Sequence, residues 1–172
     1  KPYILPTIRS VFEGFGTNGR ALLQNLWPTV SALFASFGIA LLVGTPIAVA
    51  MAFLRPIERA VMALLVILQT VPKVALGPLF IGWMGVTWKS VVTLGVIISI
   101  FPIVINTLLG LASIENDYIK VGRSMGGSAM RIFWKMRVPF ALPAMFTGWK
   151  LAMTMALIGV VVGEFVAGSS GL

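Results

Sequence analysis

Side chains able to do chemistry are scarce in this sequence, and their placement is unusual. It contains neither His nor Cys. Thiolate and disulfide chemistry, His-based triads, histidine proton relays and zinc sites of the usual ligand sets are therefore excluded. No G-x-x-x-x-G-K-[ST] phosphate loop occurs either, so the chain carries no nucleotide site of that kind. The two charges that most need an explanation are Lys150 and Glu164, which interrupt the apolar C-terminal stretch. Within hydrocarbon each would cost roughly 2.5 to 3.5 kcal/mol at mid-helix. Fourteen positions apart, they fall on nearly one helix face but about 21 Å from each other, too far to pair. Each either lines a polar route or reaches an interface by snorkelling. Snorkelling is preferred for Glu164, and Lys150 stays open. On the same stretch Gly148, Ala152, Ala156, Gly159 and Gly163 recur every three or four residues. Such small side chains let helix backbones approach closely, either within one subunit or between two copies.

The elements that hold these residues are set by composition. The chain is 58% hydrophobic and 10% charged over 172 residues, against roughly 25% charged in a soluble domain. Ala21 to Leu54 has no charged side chain, well beyond the ~20 residues that cross a bilayer as a helix. The sequence predicts an all-α polytopic transmembrane bundle with four crossings: Trp27 to Leu54, a broken one over 60–88, Ser90 to Ala112, and Phe140 to Ala167. Pro46 is expected to kink the first, and Arg55-Pro56-Ile57-Glu58-Arg59 to end it. Pro72, Gly77, Pro78, Gly82 and Gly85 break the second. Residues 1–20 read as a segment at or outside the membrane surface.

Thirteen Lys and Arg against five Asp and Glu give a net charge of +8. Nucleic acid is not the implied partner, because five of these cations (Lys120, Arg123, Arg131, Lys135, Arg137) fall in one segment between apolar spans. That is the positive-inside pattern of a cytoplasmic loop. Parity of crossings puts Arg55 to Arg59 on the same side and the Gly168-Ser169-Ser170-Gly171 turn outside. The basic segment itself reads as two short amphipathic helices. The first is capped by Asn116 or Asp117 and stopped by Gly126-Gly127, with Tyr118, Val121, Gly122 and Met125 on one face. The second is capped by Ser128 and ended by Pro139, with Ile132, Phe133 and Met136 opposite Arg131 and Lys135. Its pattern fits a docking element and a solvated loop equally well.

The run Lys120-Val121-Gly122-Arg123-Ser124-Met125-Gly126-Gly127-Ser128, followed by Val138-Pro139, resembles the signature loop of permease subunits of binding-protein-dependent ABC importers. Gly126 and Pro139 stand where that pattern has its Gly and Pro, and Met136 and Val138 replace its Ile and Leu. Lys120-Val121-Gly122 stands where it has Glu-Ala-Ala, a departure that touches any role of the acidic residue. Pro78 to Gly85, Phe101-Pro102-Ile103 with Asn106-Thr107, and Gly163-Glu164-Phe165 are similar to the nitrate, sulfonate and taurine subgroup. The resemblance implies a single permease domain over 1–172, lacking the family's first and last membrane helices, in the bacterial inner membrane.

It further implies that segment 115–138 couples to the ATPase through Lys120 to Ser128, and that Lys150, Gly159, Gly163 and Glu164 serve the translocation pathway or helix packing. The implied partners are ABC ATPase subunits that hydrolyse the ATP, an extracytoplasmic solute-binding protein and a second permease copy. No cofactor is implied, and the solute would be a small anion such as nitrate, a sulfonate or taurine. An ion-coupled secondary transporter is the alternative reading. It calls for internal repeats and several membrane-buried carboxylates, and the sequence offers no repeat and only Glu164.

Overall fold

The computed structural model of the protein describes residues 8–70 and 72–167. The N-terminal seven residues and the Gly168 to Gly171 turn lie outside the described residues. The chain runs as α1 (Ile8–Phe53), α2 (Arg55–Thr70), α3 (Lys73–Met84), α4 (Trp88–Ala112), α5 (Asn116–Ser124), α6 (Ala129–Ile132), a π-helical turn (Phe133–Arg137) and α7 (Val138–Ala167). An all-α bundle is the fold that composition demands. Backbone amides in hydrocarbon must be satisfied within their own segment, and a helix does this.

Three helical segments are long and apolar enough to cross a membrane among the described residues: Leu23–Phe53, Trp88–Ala112 and Ala129–Ala167. The crossing expected over 60–88 is divided between α2 and α3, neither of which is of membrane length by itself. Gly85, with φ of 74°, closes α3, and the Thr87 hydroxyl caps α4 by accepting from the Ser90 backbone N–H at 3.3 Å.

Three boundaries differ from the sequence expectation. Helix α1 begins at Ile8 and is continuous through Pro28 and Pro46, so part of the segment read as surface material is already helical. Only Leu54 separates α1 from α2. The first crossing ends at Phe53, where the sequence puts its stop, and Pro56 falls in the first turn of α2, where its missing N–H leaves no helical bond unmade. Glu115, not Asn116 or Asp117, occupies the N-cap of α5. Finally, Pro139 does not end the second amphipathic helix. The Val138 N–H donates to the Phe133 carbonyl, five residues back, and this wider turn carries the chain straight into α7.

Helix α4 is the centre of the bundle. In its spanning window 61% of residues are buried, against 28% for α1 and 33% for the segment containing α7. Its two flanks are sealed by small residues on its neighbours. On α1 a ladder of Ala32, Ser36, Ala40, Gly44 and Ala48, all buried, faces α4, with the Ser36 hydroxyl donating to the Val92 carbonyl at 3.1 Å. On α7 the matching face is Gly148, Ala152, Ala156, Gly159 and Gly163, all buried. A side chain at Gly159 would place its Cβ 2.8 Å from the Cα of Gly95, and one at Gly163 would come within 3.2 Å of Val91 Cα. Direct backbone contact of this kind is how apolar helices associate without a hydrophobic difference from lipid.

Candidate functional site

At one end of the bundle α5, α6 and the π turn form a compact foot. Helix α5 ends in a double cap: the Gly126 N–H donates to the Arg123 carbonyl at 2.9 Å and the Gly127 N–H to the Gly122 carbonyl at 3.0 Å. Gly126 supplies the left-handed residue this requires, at φ 76°. Ser128 then caps α6, accepting from the Arg131 N–H at 3.3 Å. Both stops stand where the sequence puts them.

Gly122 is the point of closest approach inside the foot, because a Cβ there would lie 2.9 Å from Met136 Sδ and 3.3 Å from Ile132. Ile132 and Phe133 are buried while Arg131 and Lys135 are exposed, the amphipathic division that the spacing indicates. Phe133, only 2% exposed, packs on Phe53 at a ring separation of 4.8 Å. Tyr118 meets Phe140 at 5.7 Å. These two aromatic contacts fasten the foot to the ends of α1 and α7. They also bring the α1–α2 junction, where Arg55 to Arg59 begin, to the same end as the basic segment.

Outward, the foot leaves apolar groups in the open: Val121, Met130, Trp134 at 62% and Met125 at 82% exposure. Isolated exposed apolar residues are ordinary, but four on one small unit suit a partner's groove. Lys120 pairs with Asp117 at 2.8 Å, both well exposed, a bond worth at most about 1 kcal/mol. Lys120, Arg123 and Ser124 are exposed beside this surface, and Gly127 is half-buried beneath it.

The residues named within the spans fall elsewhere. Gly159 and Gly163 lie in the α4–α7 contact, within one subunit. Lys150 is exposed on the outside of α7. Glu164 is turned into the bundle, 9% exposed, and its Oε2 accepts a hydrogen bond from the buried Thr29 hydroxyl at 2.9 Å. The snorkelling preferred for Glu164 does not describe this placement, since a bonded carboxylate inside the bundle offsets its desolvation by hydrogen bonding. Thr29→Val, which removes that donor, is expected to lower stability by about 1 to 3 kcal/mol. Thermal unfolding in detergent reads it, and an unchanged midpoint would rule the bond out as a support.

The small-residue ladder on α1 escaped the sequence reading, although its signal was present. Positions 32, 36, 40, 44 and 48 hold Ala, Ser, Ala, Gly and Ala at a strict spacing of four.

A three-helix core with a capped, aromatic-anchored foot at one end is matched in sequence by a known family. Residues 23–172 match the binding-protein-dependent transport system inner membrane component. The chain belongs to that family. Among its relatives, the formylaminopyrimidine transport permease of Halalkalibacterium halodurans is 32% identical over the whole chain and 69% of its own length. The riboflavin transport system permease of Chloroflexus aurantiacus is 33% identical over 99% of this chain and 64% of its own. The taurine transport system permease of Escherichia coli is 26% identical over 99% and 65% respectively. This permease chain thus spans about two thirds of the length of these relatives. It is a multi-pass inner-membrane component of a binding-protein-dependent importer, and the foot falls within its matched residues.

Proposed function

We propose that this permease, together with a second copy, encloses the route of an ATP-driven importer, and that its foot is the coupling element. Closure of two ABC ATPase subunits would press on residues 117–128 and be passed to α1 and α7 through the Phe53–Phe133 and Tyr118–Phe140 contacts. The observation that carries this reading is the exposed set Val121, Met125, Met130 and Trp134 on a unit whose other side is locked to the bundle. ATP hydrolysis falls to the partner, and an extracytoplasmic binding protein delivers the solute. An ion-coupled transporter would need no such projecting apolar unit.

The experiment is uptake into vesicles, with ATPase co-purification measured alongside. Deleting Lys120 to Met125 is expected to abolish both while membrane insertion persists. A milder variant is Gly126→Val. Nothing lies within 4 Å of its new Cβ, so the change acts through the left-handed backbone alone, at about 1 to 2 kcal/mol. Ion-driven uptake without any ATPase would overturn the proposal.

For the solute, the subgroup resemblance supports a small anion such as nitrate, a sulfonate or taurine. The 32% identity to a formylaminopyrimidine permease, against 26% to a taurine permease, favours a pyrimidine-type solute as the second reading. Uptake measured with taurine and with a formylaminopyrimidine in one preparation separates the two.

A further inference from the structure

Two cavities open side by side where α1 and α4 end above the foot. One, about 170 Å³, is lined by Phe53, Ile119, Arg123, Ile132, Phe133 and Arg137. The other, about 350 Å³, is walled by Met62, Leu108, Leu111 and Asn116, and again by Ile119 and Arg137. The two shared residues make them one composite site, basic at the foot and apolar toward the spans. Neither Arg123 nor Arg137 has an ion-pair partner among the described residues. Arg137 is half-buried and Arg123 exposed at the rim, so the two guanidinium groups offer forks of donors to an anion at the mouth of an apolar cavity.

We propose that this composite cavity binds the phosphate of an anionic phospholipid of the cytoplasmic leaflet, with the start of an acyl chain along Met62, Leu108 and Leu111. Guanidinium is the cation that matches phosphate oxygens with a fork of donors. The location suits a lipid better than a free ion. The uncharged run that begins at Ser90 stops at Ile114, and past Glu115 and Asp117 the cations begin at Lys120, so the cavity sits at the boundary between apolar span and charged segment where headgroups lie. Basic pockets between helices on that side are where acidic lipids are held. Arg123 also borders the outward apolar surface of the foot, whereas Arg137, Met62, Leu108 and Leu111 lie away from it, toward the spans.

The test uses the intact permease complex in nanodiscs containing phosphatidylglycerol and phosphatidylcholine, with lipid retention read by native mass spectrometry. Phosphatidylglycerol is expected to be retained preferentially. Because the pair supplies the charge-assisted forks to the phosphate, Arg123→Gln with Arg137→Gln should cut that preference by about tenfold or more. Arg131→Gln with Lys135→Gln removes the same charge from exposed positions of the same foot and should leave the preference within about twofold. If the first pair fails to assemble, Arg137→Lys carries the test: it keeps the charge, loses the fork, and should lower retention about threefold. Equal loss in both pairs, no preference over phosphatidylcholine, or unchanged retention in Arg137→Lys would each overturn the proposal. So would displacement by millimolar inorganic phosphate, which would mark a free-anion site.

Discussion

Gly159→Leu is expected to disable the bundle more severely than any other single change in its core. The new Cβ would stand 2.8 Å from Gly95 Cα and 3.1 Å from its amide nitrogen. Both are backbone atoms of α4, so no side chain can rotate out of the way. Helix α7 would have to retreat from α4 along the whole seam. Gly148 and Gly163 are fixed to the same partner helix, so the retreat cannot be local. Overpacking of a filled core costs about 1 to 3 kcal/mol, and here the lost backbone contacts on either side add to it. Gly38→Leu is the matched control, since nothing lies within 4 Å of a Cβ at that position. Thermal unfolding in detergent, with the yield of folded protein, compares the two. Equal midpoints would mean that α4 and α7 do not meet as described.

The second large effect is expected from the foot. Val121→Glu combined with Met125→Glu places two carboxylates on the surface proposed to enter an ATPase groove. Burying one unpaired charge costs about 3 to 5 kcal/mol, so association should fall by more than about a hundredfold. Both side chains are exposed in the free chain, and folding and insertion should therefore be unaffected. Lys120→Ala provides the contrast: it breaks only the solvent-exposed pair with Asp117 and should shift association by less than about fivefold. Co-purification of the ATPase at normal yield with the double variant would remove the foot from the coupling path.

Much of this arrangement is readable from residue order alone, for identifiable reasons. The spans declare themselves because hydrocarbon tolerates so few charges, and Gly126 and Ser128 mark their turns because each supplies a local geometry or bond that few other residues can. The misreadings share a different cause. Pro139 looks like a stop, yet the wide turn just before it lets the chain run on into α7. Whether a proline breaks or begins a helix depends on hydrogen bonds of neighbouring turns, which composition does not specify. Residues 8–20 are helical despite their mixed polarity, so polarity marks where hydrocarbon ends more reliably than where a helix does. Glu164 faces inward because Thr29, 135 positions away, waits across the bundle, and no pattern along one helix contains that partner. The ladder at 32 to 48 was legible by the same spacing rule that exposes the one on α7.

The wide turn at Phe133–Arg137 has one more consequence. Ala129 to Ala167 forms one unbroken rod of 39 residues, close to 58 Å at 1.5 Å per residue. A wide turn of this kind amounts to one surplus residue, and one residue of α-helix rotates the side chains by about 100°. The surplus therefore sets the azimuth between Ile132 and Phe133 below and the Gly148 to Gly163 seam above, like the offset between two keys cut on one shaft. Excising a single residue there would leave both ends intact and swing one of them about a quarter-turn out of register.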